Sequence, residues 1–83
     1  MYKVVFQKDA KKEFLKLDIQ AQELIAKKLL DLQNGDFTGD KSLKGKHKGK
    51  YRKRAGNYRI IYLLENDILL ITVLRTAHRK EVY

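Results

Sequence analysis

The residues best suited to chemistry lie between Lys41 and Leu64, a stretch without an acidic residue. Its basic positions are threaded through aromatics: Lys50-Tyr51-Arg52-Lys53-Arg54, then Tyr58-Arg59-Ile60-Ile61-Tyr62. A second basic and aromatic cluster is His78-Arg79-Lys80-Glu81-Val82-Tyr83. Clustered cations with interleaved rings suit a polyanion that also carries flat bases, which means nucleic acid, and single-stranded RNA in particular. Cleavage of RNA through its own 2′-hydroxyl needs a group to take the 2′ proton and a group to protonate the leaving 5′-oxygen. It also needs cations to hold the charged phosphorane. The sequence is rich in cations but poor in proton carriers. Its only histidines are His47 and His78, and Glu81 is the only carboxylate in either cluster.

Composition narrows the setting. A chain of 83 residues makes one domain, 1–83, with a modest core. A formal net charge of +9 implies salt-sensitive attraction to nucleic acid, although it also fits an anionic membrane surface or an acidic protein. Without cysteine there is neither a disulfide nor a thiolate metal site. No cluster of metal ligands stands out, so neither metal nor cofactor is expected. No apolar run approaches the roughly 18 residues that span a bilayer. The start, Met-Tyr-Lys-Val-Val-Phe, lacks a signal-peptide plan. A cytoplasmic protein without a membrane partner is expected.

The elements that must position these residues can be read in order. Tyr2 to Phe6 reads as a strand. Asp9 is expected to cap a short helix with Ala10, Phe14 and Leu17 on one side. Asp18 is expected to cap a longer helix whose apolar positions are Ala21, Leu24, Ile25, Leu29 and Leu32, stopping at Asn34-Gly35. Lys27 and Lys28 read as its wet face. Gly35 to Gly49 is a loop over the body, anchored by Phe37 and Leu43. Tyr51 to Arg54 turns at Ala55-Gly56-Asn57 into Tyr58 to Glu65, and Asn66-Asp67 turns into Ile68 to Arg75. The last two strands are nearly continuous apolar runs, so both faces should be largely covered. The expected fold is an α+β sandwich of order βααβββ, a small, mainly antiparallel sheet with two N-terminal helices on one face.

Strand parity leaves one question open. Arg52 and Arg54 share a face, but the place of Arg59 depends on the turn. Pairing Arg54 with Arg59 would gather all three, whereas pairing Arg54 with Tyr58 would send Arg59 to the other face. A bulge at Gly56 would also reset the register. Tyr58 and Tyr62 alternate with Ile60 and read as sheet core. The lysines Lys41, Lys44, Lys46, Lys48 and Lys50 read as phosphate-backbone contacts without base selectivity. His47, among them, reads as a surface residue.

The order βααβββ, the segment Leu43-Lys44-Gly45, the motif Tyr51-Arg52-x-Arg54-x-Gly56-Asn57-Tyr58-Arg59-Ile60-Ile61-Tyr62 and the ending His78-Arg79-Lys80-Glu81-Val82-Tyr83 resemble the RelE/ParE toxin superfamily, and within it the RelE branch. The likeness covers essentially the whole chain. RelE proteins are toxins that cut messenger RNA in the ribosomal A site and are neutralised by a small antitoxin. The resemblance therefore implies a metal-independent endoribonuclease, with messenger RNA on the 70S ribosome and a RelB-like antitoxin as partners. It assigns Tyr83 to proton transfer. Neighbouring cations would favour its phenolate against an ordinary pKa of about 10. Arg59 matches the strand arginine that binds the scissile phosphate. Arg52 and Arg54 match positions for phosphate contact and proton transfer, Arg79 matches one for phosphate or base contact, and His78 is a candidate acid or base. Lys44, Lys46, Lys48, Lys50, Arg52 and Lys53 are expected to bind RNA. Two other readings remain: a ParE-like inhibitor of DNA gyrase, and a noncatalytic RNA- or ribosome-binding protein.

Overall fold

The computed structural model describes residues 1–45 and 49–82. The expected βααβββ order is present, and two short elements extend it. Strand β1 is Lys3–Phe6, helix α1 is Lys8–Lys16, and helix α2 is Ile19–Gln33. Strand β2 is only Lys41–Ser42; β3 is Lys50–Ala55, β4 is Tyr58–Glu65 and β5 is Leu70–His78. A single turn of helix, α3, is Arg79–Val82. Together the strands form one sheet of order β1-β5-β4-β3-β2, parallel between β1 and β5 and antiparallel elsewhere.

Both helices pack on one face of the sheet. Ala10 of α1 with Ile25 and Leu32 of α2 meet Ile60, Tyr62, Ile71 and Val73 in the core. Phe14, Leu17, Leu24 and Leu29 flank that cluster at the expected spacing. Every residue of β4 and β5 is buried or half-buried, as their apolar runs require. Among the described residues, no helix is long and apolar enough to cross a membrane.

The local signals held in part. Asp18 caps α2, its Oδ1 accepting the Ala21 N–H at 2.8 Å. Gly35, at φ +77°, ends that helix with its N–H on the Leu32 carbonyl at 3.0 Å. Asp9 is not a cap, however. The Gln7 N–H bonds to the Val73 carbonyl at 2.9 Å, extending the β1 pairing, and α1 starts directly after it. Asp9 then falls in the first helical turn, where a carboxylate suits the positive end of the helix. The β4–β5 connection is also longer than expected. Asn66–Ile68 forms a 3-10 turn and Leu69 adopts φ +52°, so β5 begins at Leu70 and reaches His78.

The β3–β4 hairpin closes on two residues. Ala55 pairs with Tyr58, which leaves Gly56-Asn57 as the turn, and Gly56 adopts φ +60°. A side chain at Gly56 would meet Leu24 Cδ2 of α2 at 2.7 Å. Gly56→Ala should therefore destabilise the protein by about 1–3 kcal/mol through strain and overpacking. Urea unfolding checks this, and Gly56→Ala should cost less in a Leu24→Ala background than in the wild type, because the clash is gone.

Candidate functional site

The hairpin register decides where the arginines go. Arg54 pairs with Arg59, and Arg52 with Ile61, so Arg52, Arg54 and Arg59 stand on the sheet face opposite the helices. Strand β2 adds a fourth cation, because Lys41 pairs with Arg52. Gly39, Lys41, Arg52, Arg54 and Arg59 line one cavity of about 190 Å³. At ~30 Å³ per water, that is room for a phosphate group. The charged lining residues are all cations among the described residues.

These arginines are held differently. Arg59 is only 8% exposed, and its Nη1 donates to the carbonyls of Gly56 at 3.1 Å and Tyr58 at 3.0 Å. The guanidinium thus straps the turn that sets its own position. Arg54, directly across, is exposed. A guanidinium stays protonated and presents a planar fork of donors, so the cluster can clamp a phosphate and stabilise charge growing on it.

The other expected site residues divide. Arg79 begins α3, and its backbone N–H donates to the Asn57 carbonyl of the same turn at 2.8 Å. His78 is not with the arginines. It pairs with Tyr58, one residue out of phase with Arg59, so it points to the helix side. Its ring meets the Tyr58 ring edge-on, with centroids 5.6 Å apart, and Nδ1 accepts the Lys80 N–H at 3.2 Å. Lys53, expected to bind RNA, is 4% exposed and turned into the helix side by strand alternation. Its Nζ is 3.0 Å from Asp40 Oδ1 and 3.2 Å from the Asp36 carbonyl, so it is a buried structural cation. Lys44 and Lys50 flank a separate trough of about 840 Å³ floored by Leu43, Ile61, Leu63 and Leu74. The ion pair of Arg75 with Glu13 stands on its wall, Nε and Nη2 both donating to Glu13 Oε2 at 3.1 and 2.6 Å. Lys46, His47, Lys48 and Tyr83 lie outside the described residues.

Sequence reasoning missed Asp40. Its carboxylate takes Lys53 on one oxygen and the Tyr62 hydroxyl on the other, at 2.6 Å. The signal for it was indirect: a tyrosine and a lysine bound for the core each need a polar partner.

Comparison with known proteins fixes the family. The family described as the ParE toxin of the type II toxin–antitoxin system, parDE, matches residues 2–83. The chain belongs to the RelE/ParE toxins. A protein of Escherichia coli described as a RelE-like toxin is 34% identical over 80 residues, covering 95% of this chain and 84% of that one. The isolated RelE toxin of E. coli superposes with a TM-score of 0.81 at 26% identity, over 100% of this chain and 92% of that one. A chain of the toxin–antitoxin complex RelBE2 from Mycobacterium tuberculosis does so with a TM-score of 0.84 at 25% identity, over 94% and 98%. The named relatives place the toxin close to RelE.

In this toxin the acid–base character of Tyr62 is coupled to the fold. Burial, and then the hydrogen bond to Asp40, push its phenol well above the ordinary value of 10.0. The native state therefore keeps a proton that the unfolded chain releases above that value. The stabilisation is complete below about pH 10 and is lost as pH rises further. Thermal melts from about pH 9 to pH 11 should show a steeper loss of stability for the wild type than for Tyr62→Phe, with lysine titration common to both.

Proposed function

We propose that the toxin is an endoribonuclease that cuts messenger RNA in the ribosomal A site. The observation that carries this reading is the four-cation cavity of Lys41, Arg52, Arg54 and Arg59 created by the Arg54–Arg59 register. The 2′-oxygen attacks the adjacent phosphorus, the bond from phosphorus to the 5′-oxygen breaks, and a cyclic phosphate and a 5′-hydroxyl result. The 2′ proton passes to a base, and the 5′-oxygen takes up a proton. Arg54 and Arg59 hold the phosphate and the charge that grows on it. Arg79, beside the same turn, extends this surface, and Arg52, Lys44 and Lys50 hold the flanking backbone. Tyr83 is assigned to proton transfer on the family resemblance. His78 is not, because it faces the helix side.

The partner is proposed to be a RelB-like antitoxin, supported by the solved RelBE2 complex of the M. tuberculosis relative. The toxin acts in the cytoplasm, as one domain. The ParE name of the matched family supports a second reading, inhibition of DNA gyrase without nuclease chemistry.

Primer extension on a defined message tests the two. New 5′ ends at A-site codons are expected in translating ribosomes. Arg54→Ala should reduce them about 10²-fold or more, while stability stays within about 0.5 kcal/mol, as for an exposed side chain. Arg59→Ala should reduce cleavage and stability together, because that side chain also straps the turn. Intact message in all samples, with loss of supercoiling activity by gyrase, would overturn the nuclease reading in favour of the second.

A further inference from the structure

The arginines of the cavity come from a well-paired hairpin, but its other wall does not. Gly39 and Lys41 belong to a short turn, in which the Asp40 N–H donates to the Phe37 carbonyl and the Thr38 N–H to Asp36 Oδ1, both at 3.0 Å, followed by the Lys41–Arg52 pairing. Gly35 and Gly39 both adopt positive φ, and β2 is a two-residue strand at the edge of the sheet. Such a strand does not fix itself.

Asp40 lies between these two wall residues. Its side chain is 4% exposed on the helix side of the sheet, bonded to Lys53 and to the Tyr62 hydroxyl. Lys53 also holds the Asp36 carbonyl, so both ends of the Asp36–Asp40 segment converge on one ammonium. Tyr62 is itself immobilised. Its ring stacks on Tyr51, with centroids 5.6 Å apart, and on Phe37 at 6.3 Å. Phe37 in turn meets Tyr2 edge-on at 5.5 Å. Burial keeps the Tyr62 phenol protonated, and so a donor to Asp40.

A buried ion pair is poor evidence of stabilisation, since apolar replacements often do as well, but it can select one conformation among several. We propose that Asp40 is a positioning residue: tied to Lys53 and Tyr62, it locks the Phe37–Lys41 segment so that Gly39 and Lys41 complete a phosphate-binding pocket with Arg52, Arg54 and Arg59. The consequence for cleavage rests on the nuclease reading above; the consequence for phosphate binding does not.

Inorganic phosphate titrated into the free toxin, followed by the backbone amide signals of Gly39 and Lys41, tests the lock directly. In the wild type both signals should move in a saturable way. Asp40→Asn keeps the shape and removes the charge; it should shift both signals before phosphate is added and weaken phosphate at least tenfold. Tyr62→Phe keeps the aromatic stack and should act in the same direction, which preserves the test if Asp40→Asn does not fold. Ile71→Val, a core change on β5, which β4 and β3 separate from β2, should lower stability without altering phosphate affinity, which separates positioning from mere destabilisation. On translating ribosomes Asp40→Asn should lower kcat and leave KM for ribosomes nearly unchanged. Unaltered phosphate affinity and unmoved signals in Asp40→Asn and Tyr62→Phe would overturn the lock and leave the nuclease reading standing. Lock-dependent phosphate binding by a wild-type toxin that cuts no message would sink the nuclease reading and leave the lock standing. A wild type that shows no saturable response at Gly39 and Lys41 would overturn the pocket itself.

Discussion

The two-residue turn at Gly56-Asn57 is the constraint on which the site depends. A strand has a side-chain period of two, so lengthening this turn by one residue would send Arg59 to the helix side. Three separate contacts hold it. Gly56 lies against Leu24 of α2, with no room for a side chain. The Arg59 guanidinium bonds to the Gly56 and Tyr58 carbonyls. The Asn57 carbonyl accepts the Arg79 N–H, which joins the start of α3 to the same corner. The functional surface and the packing of α2 on the hairpin are therefore one structural problem. A residue at the turn cannot change for one without changing the other.

Strand β3 shows how alternation sorts identical chemistry into opposite roles. Arg52, Lys53 and Arg54 are consecutive cations. The first and third face the open side, and the middle one is buried. A buried ammonium is costly unless paired, and Asp40 with the Asp36 carbonyl provides the partners. The same rule operates at the far end of the sheet. Pairing between β1 and β5 ends at Phe6 and Val73, and beyond it the Thr76 N–H loses a strand partner. The Glu13 carboxylate takes that N–H at 3.1 Å while also holding Arg75, and the Thr76 hydroxyl donates to the Ala10 carbonyl at 3.3 Å. Side chains from α1 thus finish what β1 leaves incomplete.

These observations explain what could be read in advance. Periodicity identified the helices and the three principal strands, because burial on one face imposes it locally. Asp18 was readable as a cap because capping involves neighbours in sequence. Asp9 was misread because the competing interaction, Gln7 to Val73, is remote in sequence. Strand β2 and helix α3 are too short for any periodicity to show. The Arg54–Arg59 pairing stays open in the sequence, since both candidate turns satisfy the same local pattern and the contacts at the turn include residues far from it, Leu24 and Arg79. In sequence Lys53 reads as one more RNA-binding cation, because its partner Asp40 lies in the preceding loop, outside the basic cluster. Basic residues were countable in the sequence, but which of them face outward is a property of pairing.

The geometry also bears on the proposed preference for RNA held by a ribosome. The pocket concentrates cations that bind and stabilise charge, and arginine gives up its proton reluctantly. Among the described residues the only histidine is His78, and it is committed to the other face, where its Nδ1 accepts the Lys80 N–H. On the proposed activity, what the described residues supply is charge stabilisation and alignment of the 2′-oxygen with the bond that breaks. Free single-stranded RNA seldom presents that alignment, whereas a codon fixed in the A site can be held in it. Alignment is also unforgiving: a displacement of about 1 Å can cost on the order of 10²-fold in rate. Alignment of that kind needs rigid walls, and Asp40, bonded to Lys53 and Tyr62, ties down the segment that carries Gly39 and leads into the two-residue edge strand at Lys41.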